Sequence, residues 1–238
     1  MSHLPWIIEN NVPTVVGSFG NISDLRETSA ALAVNSCDLA EIRLDLIVSG
    51  KGNADSEAWA HLEKFPLLFT ARRKEEGGAN SLGAPARMDL LRAVLQRAAL
   101  IDIEVASISE MHPLLLEIQA QSVPWIASFH DFEKLPKTEL LEENALRAKD
   151  AGAAAFKTAA WLATPQDIAR LADFQRADHG IPVATMGMGP LAPVSRLLCA
   201  QCGSVLNYGY LGTTPTAPGQ WDSRFLKQAI LKLAEFSE

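Results

Sequence analysis

The sequence is short of several things, and each shortage narrows the reading. It has only three cysteines in 238 residues, Cys37, Cys199 and Cys202. So odd and sparse a set cannot staple a secreted scaffold, and it fits a reducing compartment. No basic tract is present that could follow a phosphate backbone, and a formal charge of −7 argues against a nucleic-acid partner. No run approaches the roughly 18 apolar residues that a membrane span needs. The start, Met1-Ser2-His3-Leu4-Pro5, has no basic segment followed by an apolar core, so a secretory signal is not expected. The expectation is a soluble cytoplasmic protein. An anionic small-molecule substrate stays open, because net charge says little about the lining of a pocket.

What is present is a core-forming composition in a regular alternation. With 48% hydrophobic residues, a chain of this length hides about 70% or more of its unfolded surface. Short runs rich in β-branched or aromatic residues predict strands at Pro13–Gly17, Leu39–Leu46, Leu67–Thr70, Leu100–Val105, Trp125–Phe129, Ala153–Lys157, Pro182–Met186 and Val205–Tyr208. Several are almost continuously apolar, as parallel strands covered on both faces are. Between them lie stretches of helical period. Leu91, Val94, Leu95 and Ala98 make one apolar stripe, and Leu226, Ala229, Ile230 and Leu233 make another. Helices are also expected over Ser23–Val34, Asp55–Glu63, Glu110–Ser122, Thr138–Ala151, Thr164–Ala177 and Ala192–Gln201, with Thr138 and Thr164 as N-caps. Strand alternating with helix implies a parallel sheet with right-handed crossovers. About eight units is the count of a (β/α)₈ TIM barrel, here as one domain over 1–238. A doubly wound open sheet is the alternative. On either fold, chemistry belongs at the carboxyl ends of the strands.

The polar residues at those ends are unusual. Glu41-Ile42-Arg43-Leu44-Asp45 sets three charges alternating with apolar residues on one face of a strand. A half-buried antiparallel strand would show the same pattern. In a barrel strand that face is the lumen, where charge is costly unless paired or used. Thr70-Ala71-Arg72-Arg73-Lys74-Glu75-Glu76-Gly77-Gly78 reads as a charged loop after the third strand, with two glycines for mobility. Ile101-Asp102-Ile103-Glu104 projects a carboxylate near the same mouth, and Ser128-Phe129-His130-Asp131-Phe132 ends the fifth strand on a histidine. A lone histidine is as readily a hydrogen-bonded structural residue as a catalyst. The most telling segment is Ala153–Trp161, which carries Lys157 in an apolar strand. Lysine is almost never buried without a reason; snorkelling or a core ion pair is the plain account. Desolvation beside arginines would favour the neutral amine, the form that attacks a carbonyl.

Two other signals carry little. Cys199-Ala200-Gln201-Cys202 has CxxC spacing but no second pair and no nearby histidine. Gly187-Met188-Gly189-Pro190-Leu191-Ala192 matches GxGxxA, yet no acidic residue follows about 20 positions on to hold a ribose. A turn that lets a ligand approach closely explains it better.

In order along the chain, EIRLD at 41–45, LLFTARRKEEGG at 67–78, IDIE at 101–104, SFHDF at 128–132, FK at 156–157, ATMGMGPLAPVSRLL at 184–198 and TAPGQ at 216–220 resemble the type I 3-dehydroquinate dehydratases. These are shikimate-pathway lyases of chorismate and aromatic amino acid biosynthesis. The resemblance covers nearly the whole chain, and its specificity lies in the ordered set. It implies a hydro-lyase that turns 3-dehydroquinate into 3-dehydroshikimate through a Schiff base on Lys157, without metal or organic cofactor. It implies His130 as general acid/base, with Glu76 orienting it. Arg196 would grip the substrate carboxylate, and Glu41, Arg43, Arg72 and Gln220 would bind substrate or shape the site. Met186 and Met188 would form apolar wall, with Thr216 on a lid loop where relatives often carry serine. A homodimer is implied too. The nearest rivals are a lysine-dependent aldolase on a similar barrel and a non-catalytic barrel that senses shikimate-like metabolites.

Overall fold

The computed structural model describes residues 13–47 and 56–236. Eight strands form one parallel sheet: β1 (Thr14–Phe19), β2 (Leu39–Arg43), β3 (Leu67–Thr70), β4 (Leu100–Glu104), β5 (Trp125–Asp131), β6 (Ala155–Trp161), β7 (Val183–Met188) and β8 (Leu206–Tyr210). Each pairs in parallel with the next in sequence as far as β7, and β8 pairs with β1. The seam between β7 and β8 is tied by the Val205 N–H, which donates to Val183 O at 3.2 Å. The helices α1 (Ile22–Glu27), α2 (Ala30–Ser36), α3 (Leu44–Ile47), α4 (Ala84–Arg92), α5 (His112–Ala120), α6 (Thr138–Asp150), α7 (Pro165–Arg176), α8 (Ala192–Gln201) and α9 (Ser223–Ala234) fill the connections. This is the (β/α)₈ barrel, and the open-sheet alternative is set aside.

Strand periodicity explains how the barrel positions its chemistry. Side chains two apart share a face. One residue per strand, namely Val16, Leu39, Leu68, Leu100, Ile126, Ala155, Ala184 and Leu206, closes the floor of the lumen with apolar side chains. Two residues further along each strand stand Ser18, Glu41, Thr70, Asp102, Ser128, Lys157, Met186 and Tyr208, of which six are polar or charged, Tyr208 adds a phenol and Met186 alone is apolar. The lumen thus turns from apolar to polar toward the carboxyl ends of the strands, where barrel active sites are built. The opposite faces of the strands, including Phe69, Ile101, Ala127 and Phe156, pack under the helices in a separate, larger core.

The elements depart from expectation in local ways. Ser23–Val34 is two helices, because Thr28 adopts an extended backbone and closes α1 while the Ser29 hydroxyl caps α2 by accepting from the Leu32 N–H at 3.2 Å. Thr138 does not cap α6. The cap is Lys137, whose carbonyl accepts from the Leu140 and Leu141 N–H groups, so Thr138 is already helical. Thr164 does cap α7, in a reciprocal box with Asp167. The helix expected from Asp55 to Glu63 is a 3₁₀ segment over Ser56–Leu62, and Asp55 lies outside the described residues. The stripe through Leu91 to Ala98 starts on α4 and finishes on a 3₁₀ turn over Leu95–Arg97. Among the described residues no helix is long and apolar enough to cross a membrane.

Candidate active site

A cleft of about 480 Å³ opens at the carboxyl ends of the strands. Lys157, His130, Glu76, Glu41, Arg43, Arg72, Arg196, Thr216, Gln220, Met186 and Met188 all line it. They come from four strands (β2, β5, β6 and β7), from α8 and from the loops after β3 and β8, so only closure of the barrel brings them together.

Lys157 projects from the middle of β6 and is 4% exposed. Its Nζ donates to Asp102 Oδ2 at 3.0 Å and lies 4.1 Å from the ring centroid of Tyr208. Both neighbours favour a positive nitrogen. Asp102 itself accepts two bonds from Arg72, each at 3.0 Å, and one from the Ser128 hydroxyl at 2.5 Å. Burial would push the Asp102 carboxyl up, but Arg72 and Lys157 together hold it well below the usual carboxylate range. It is a fixed anion, shared between an arginine and the lysine.

His130 is the penultimate residue of β5, and its Nδ1 stands 3.0 Å from Glu76 Oε2. The same oxygen accepts the His130 backbone N–H at 2.9 Å. Burial pushes the imidazole well below its ordinary range, and the cations of Arg72 and Lys157 add to that. The ring is therefore neutral at physiological pH. An ionised Glu76 selects the tautomer with its proton on Nδ1, leaving Nε2 as a free acceptor. Burial, reinforced by Glu104, raises the Glu76 carboxyl to about 7, against the opposing pull of Arg72. As pH falls through that value Glu76 takes up a proton and ceases to demand the Nδ1–H form. Turnover is expected to fall below about pH 7, and a pH–rate profile of Glu76→Gln should lack that limb. A limb unchanged in the variant would assign it to another group.

Arg196, on α8, is buried and forms no ion pair with a carboxylate among the described residues. Its guanidinium donates to the carbonyls of Tyr208 (2.5 Å) and Gly187 (3.3 Å), and Nε has no partner. Burial lowers its pKa to about 10, still cationic at neutral pH. An enclosed arginine facing a cleft without a counter-charge is suited to a planar anion. Arg196→Met is expected to raise KM for a carboxylate substrate by about 10²-fold or more, on the scale of one desolvated charged pair. Steady-state kinetics with kcat compared alongside would check this.

The remaining polar residues build the walls. Glu41 accepts hydrogen bonds from the hydroxyls of Ser18 and, at 2.8 Å, Thr70. Thr216 donates through both its hydroxyl and its backbone N–H to Gln220 Oε1, each at 2.8 Å, which braces the loop after β8. Asp24 on α1 holds that loop from outside, accepting the Thr213 N–H at 2.9 Å.

A family profile for Type I 3-dehydroquinase matches residues 15–235. The chain belongs to the type I 3-dehydroquinase family. Among its relatives, the 3-dehydroquinate dehydratase of Haloquadratum walsbyi is 32% identical over 219 residues, covering 87% of this chain and 88% of the relative. That of Bacillus licheniformis is 31% identical over 224 residues, covering 88% and 87%. Among solved structures, 3-dehydroquinate dehydratase from Geobacillus kaustophilus superposes with a TM-score of 0.83 at 24% identity, over 97% of this chain and 95% of that one. At that identity the superposition speaks for the fold.

In this dehydroquinase the structure also corrects details. Asp45 does not share the lumen face with Glu41 and Arg43. β2 stops at Arg43, and Asp45 sits on the short α3, accepting from Arg43 at 2.9 and 2.7 Å and from the N–H groups of Arg72 (3.2 Å) and Ala79 (3.0 Å). It braces the β3 loop from behind. Gly77 and Gly78 serve close packing in that loop, where mobility was expected. Gly77 has φ +84°, and a Cβ on Gly78 would fall 2.1 Å from Arg72 O. Glu104 is enclosed by Arg72 and Arg87 and does not line the cleft. The carboxylate that meets Lys157 is Asp102, on the same strand face two residues earlier. Tyr208, Ser18 and Phe132 also line the cleft and were not singled out from sequence. Alternation from Lys157's own strand gives no hint of them, but Tyr208 follows from asking which residue stands two beyond the apolar floor on β8. Cys199 is buried and its thiol is pushed up to about 11 by that burial, consistent with a small core side chain.

Proposed function

We infer that the protein dehydrates 3-dehydroquinate to 3-dehydroshikimate, the dehydration step of the shikimate pathway, through an imine on Lys157. The observation that carries this reading is a lysine buried in a barrel strand within one cleft with a neutral, carboxylate-oriented histidine and an arginine that lacks a counter-charge. The family membership supports it independently.

The chemistry follows from these residues. The Lys157 amine adds to the substrate ketone and water leaves, giving a protonated imine. That cation is a better electron sink than a ketone, so removal of the neighbouring proton leads to a neutral enamine. Asp102 and the Tyr208 ring lie against the same nitrogen and favour its positive charge. His130 Nε2 takes the proton, and the resulting imidazolium delivers one to the departing β-hydroxyl. Water then hydrolyses the product imine and restores the amine. Glu76 fixes the imidazole and stabilises its charged form. Arg196 takes the substrate carboxylate in a two-pronged bond, while Glu41, Arg43, Arg72 and Gln220 meet hydroxyls or hold the walls. Met186 and Met188 give the apolar wall, and Thr216 holds the loop that covers the site. The scheme uses no metal and no organic cofactor.

The test is reduction with borohydride in the presence of 3-dehydroquinate, read by intact and peptide mass spectrometry, with absorbance of the enone product followed in parallel. An adduct on Lys157 with enone formation is expected. Absence of both would overturn the assignment, and an adduct without product would point to the aldolase or sensor reading. The same reading carries a single domain over 1–238, a cytoplasmic location and a homodimer, the last checked by sedimentation.

A further inference from the structure

Arg87 is among the largest side chains wholly enclosed by the protein, and the scheme above does not use it. It sits on α4, behind the barrel wall. Its Nη1 donates to Glu104 Oε2 at 2.7 Å, and its Nη2 donates to the Ser107 hydroxyl at 2.9 Å and to Glu110 at 2.7 Å. The other oxygen of Glu104 accepts from Arg72 Nη1 at 3.0 Å and from the Arg73 N–H at 2.9 Å. Arg72 grips Asp102, and Asp102 grips Lys157. Charges therefore alternate along one buried line: Arg87, Glu104, Arg72, Asp102, Lys157.

The line has a pivot. Arg72 Nη1 is claimed by both Glu104 and Asp102, and the more strongly Glu104 draws it, the less it offsets the charge on Asp102. Arg87 is what neutralises Glu104. Around Lys157 stand Asp102 from β4, Arg72 from β3, His130 from β5, Glu41 and Arg43 from β2, Tyr208 from β8, Arg196 from α8 and Glu76 from the β3 loop. None of these donates to or accepts from Arg87 among the described residues, so its influence passes through Glu104.

We propose that Arg87 is a positioning residue for Lys157: by occupying Glu104 it commits Arg72 to Asp102, and so limits how firmly Asp102 holds the ammonium form of the lysine. The proposal rests on the imine reading of Lys157. Loss of Arg87 leaves Glu104 to compete for Arg72, Asp102 faces the lysine with less of its charge offset, and the amine is less available to attack the ketone. Arg87 does not line the cleft, so its loss reaches the substrate only through Arg72.

The experiment follows imine formation by timed borohydride quench of the full-length enzyme with 3-dehydroquinate across a pH series. In a Glu76→Gln background, which removes the limb assigned to Glu76, Arg87→Met is expected to slow adduct formation about tenfold at neutral pH, with the remaining acid limb displaced upward by about one pH unit and substrate affinity changed far less than the rate. Arg87→Lys keeps the charge and should retain most of the rate. Glu104→Gln should displace the limb in the opposite direction, and the Arg87→Met/Glu104→Gln pair should return it toward wild type. A role in packing alone would give a loss at every pH that Glu104→Gln does not relieve, and that result, or a wild-type limb in Arg87→Met, overturns the proposal. If Arg87→Met does not fold, the direction of the Glu104→Gln shift decides. Absence of any adduct in the wild type would instead reject the imine reading itself.

Discussion

Lys157→Met is expected to abolish turnover, with kcat at least ~10⁴-fold below wild type, the scale seen when a covalent nucleophile is removed. The substitution keeps length and apolar volume in β6, so the strand and its pairing with β5 and β7 persist. Asp102 loses its bond to the lysine but keeps both bonds from Arg72 and that from Ser128, so its charge remains paired. The variant should therefore fold, with a lower melting temperature, and should bind substrate without forming a reducible adduct. Circular dichroism, substrate titration and borohydride mass spectrometry would establish these three points together. A folded variant with wild-type turnover would sink the imine mechanism outright.

His130→Ala is expected to lower kcat by about 10²–10⁴-fold, the usual contribution of a positioned acid/base group. Its signature differs from that of the lysine variant. Lys157 keeps both Asp102 and Tyr208, so an adduct can still form, and the block falls on proton transfer after it. Adduct should accumulate under single-turnover conditions while enone appears slowly. The variant also removes the Nδ1 partner of Glu76, leaving that buried carboxyl, among the described residues, the residue-130 backbone N–H alone. Enone formation at the wild-type single-turnover rate would show that another group moves the proton, and the Glu76 pair would then be structural.

The positions that escaped the sequence share a physical cause. Asp102 and Glu104 lie on one strand face, and nothing local says which of them meets the lysine. That is set by Arg72 and Arg87, 30 residues from Asp102 and 17 from Glu104 along the chain. Asp45 looked like a third lumen charge because the alternation continues through it. The strand ends two residues earlier, and on α3 the carboxylate accepts the Arg72 and Ala79 N–H groups instead. Arg87 gave no signal at all, since an arginine on an amphipathic helix ordinarily faces water.

The sequence by itself determined the alternation of about eight strand–helix units, the place of Lys157 inside an apolar strand and that of His130 near the end of another. Those follow from period, composition and burial cost, all of which act over a few residues. Only the tertiary structure decided how the charges are shared. Asp102 goes to Lys157, Glu104 to Arg87, and among the described residues Arg196 is left without an anion. Each choice depends on distances between strands and helices far apart in sequence, where a buried charge is stable only when closure of the barrel brings its partner within hydrogen-bond reach.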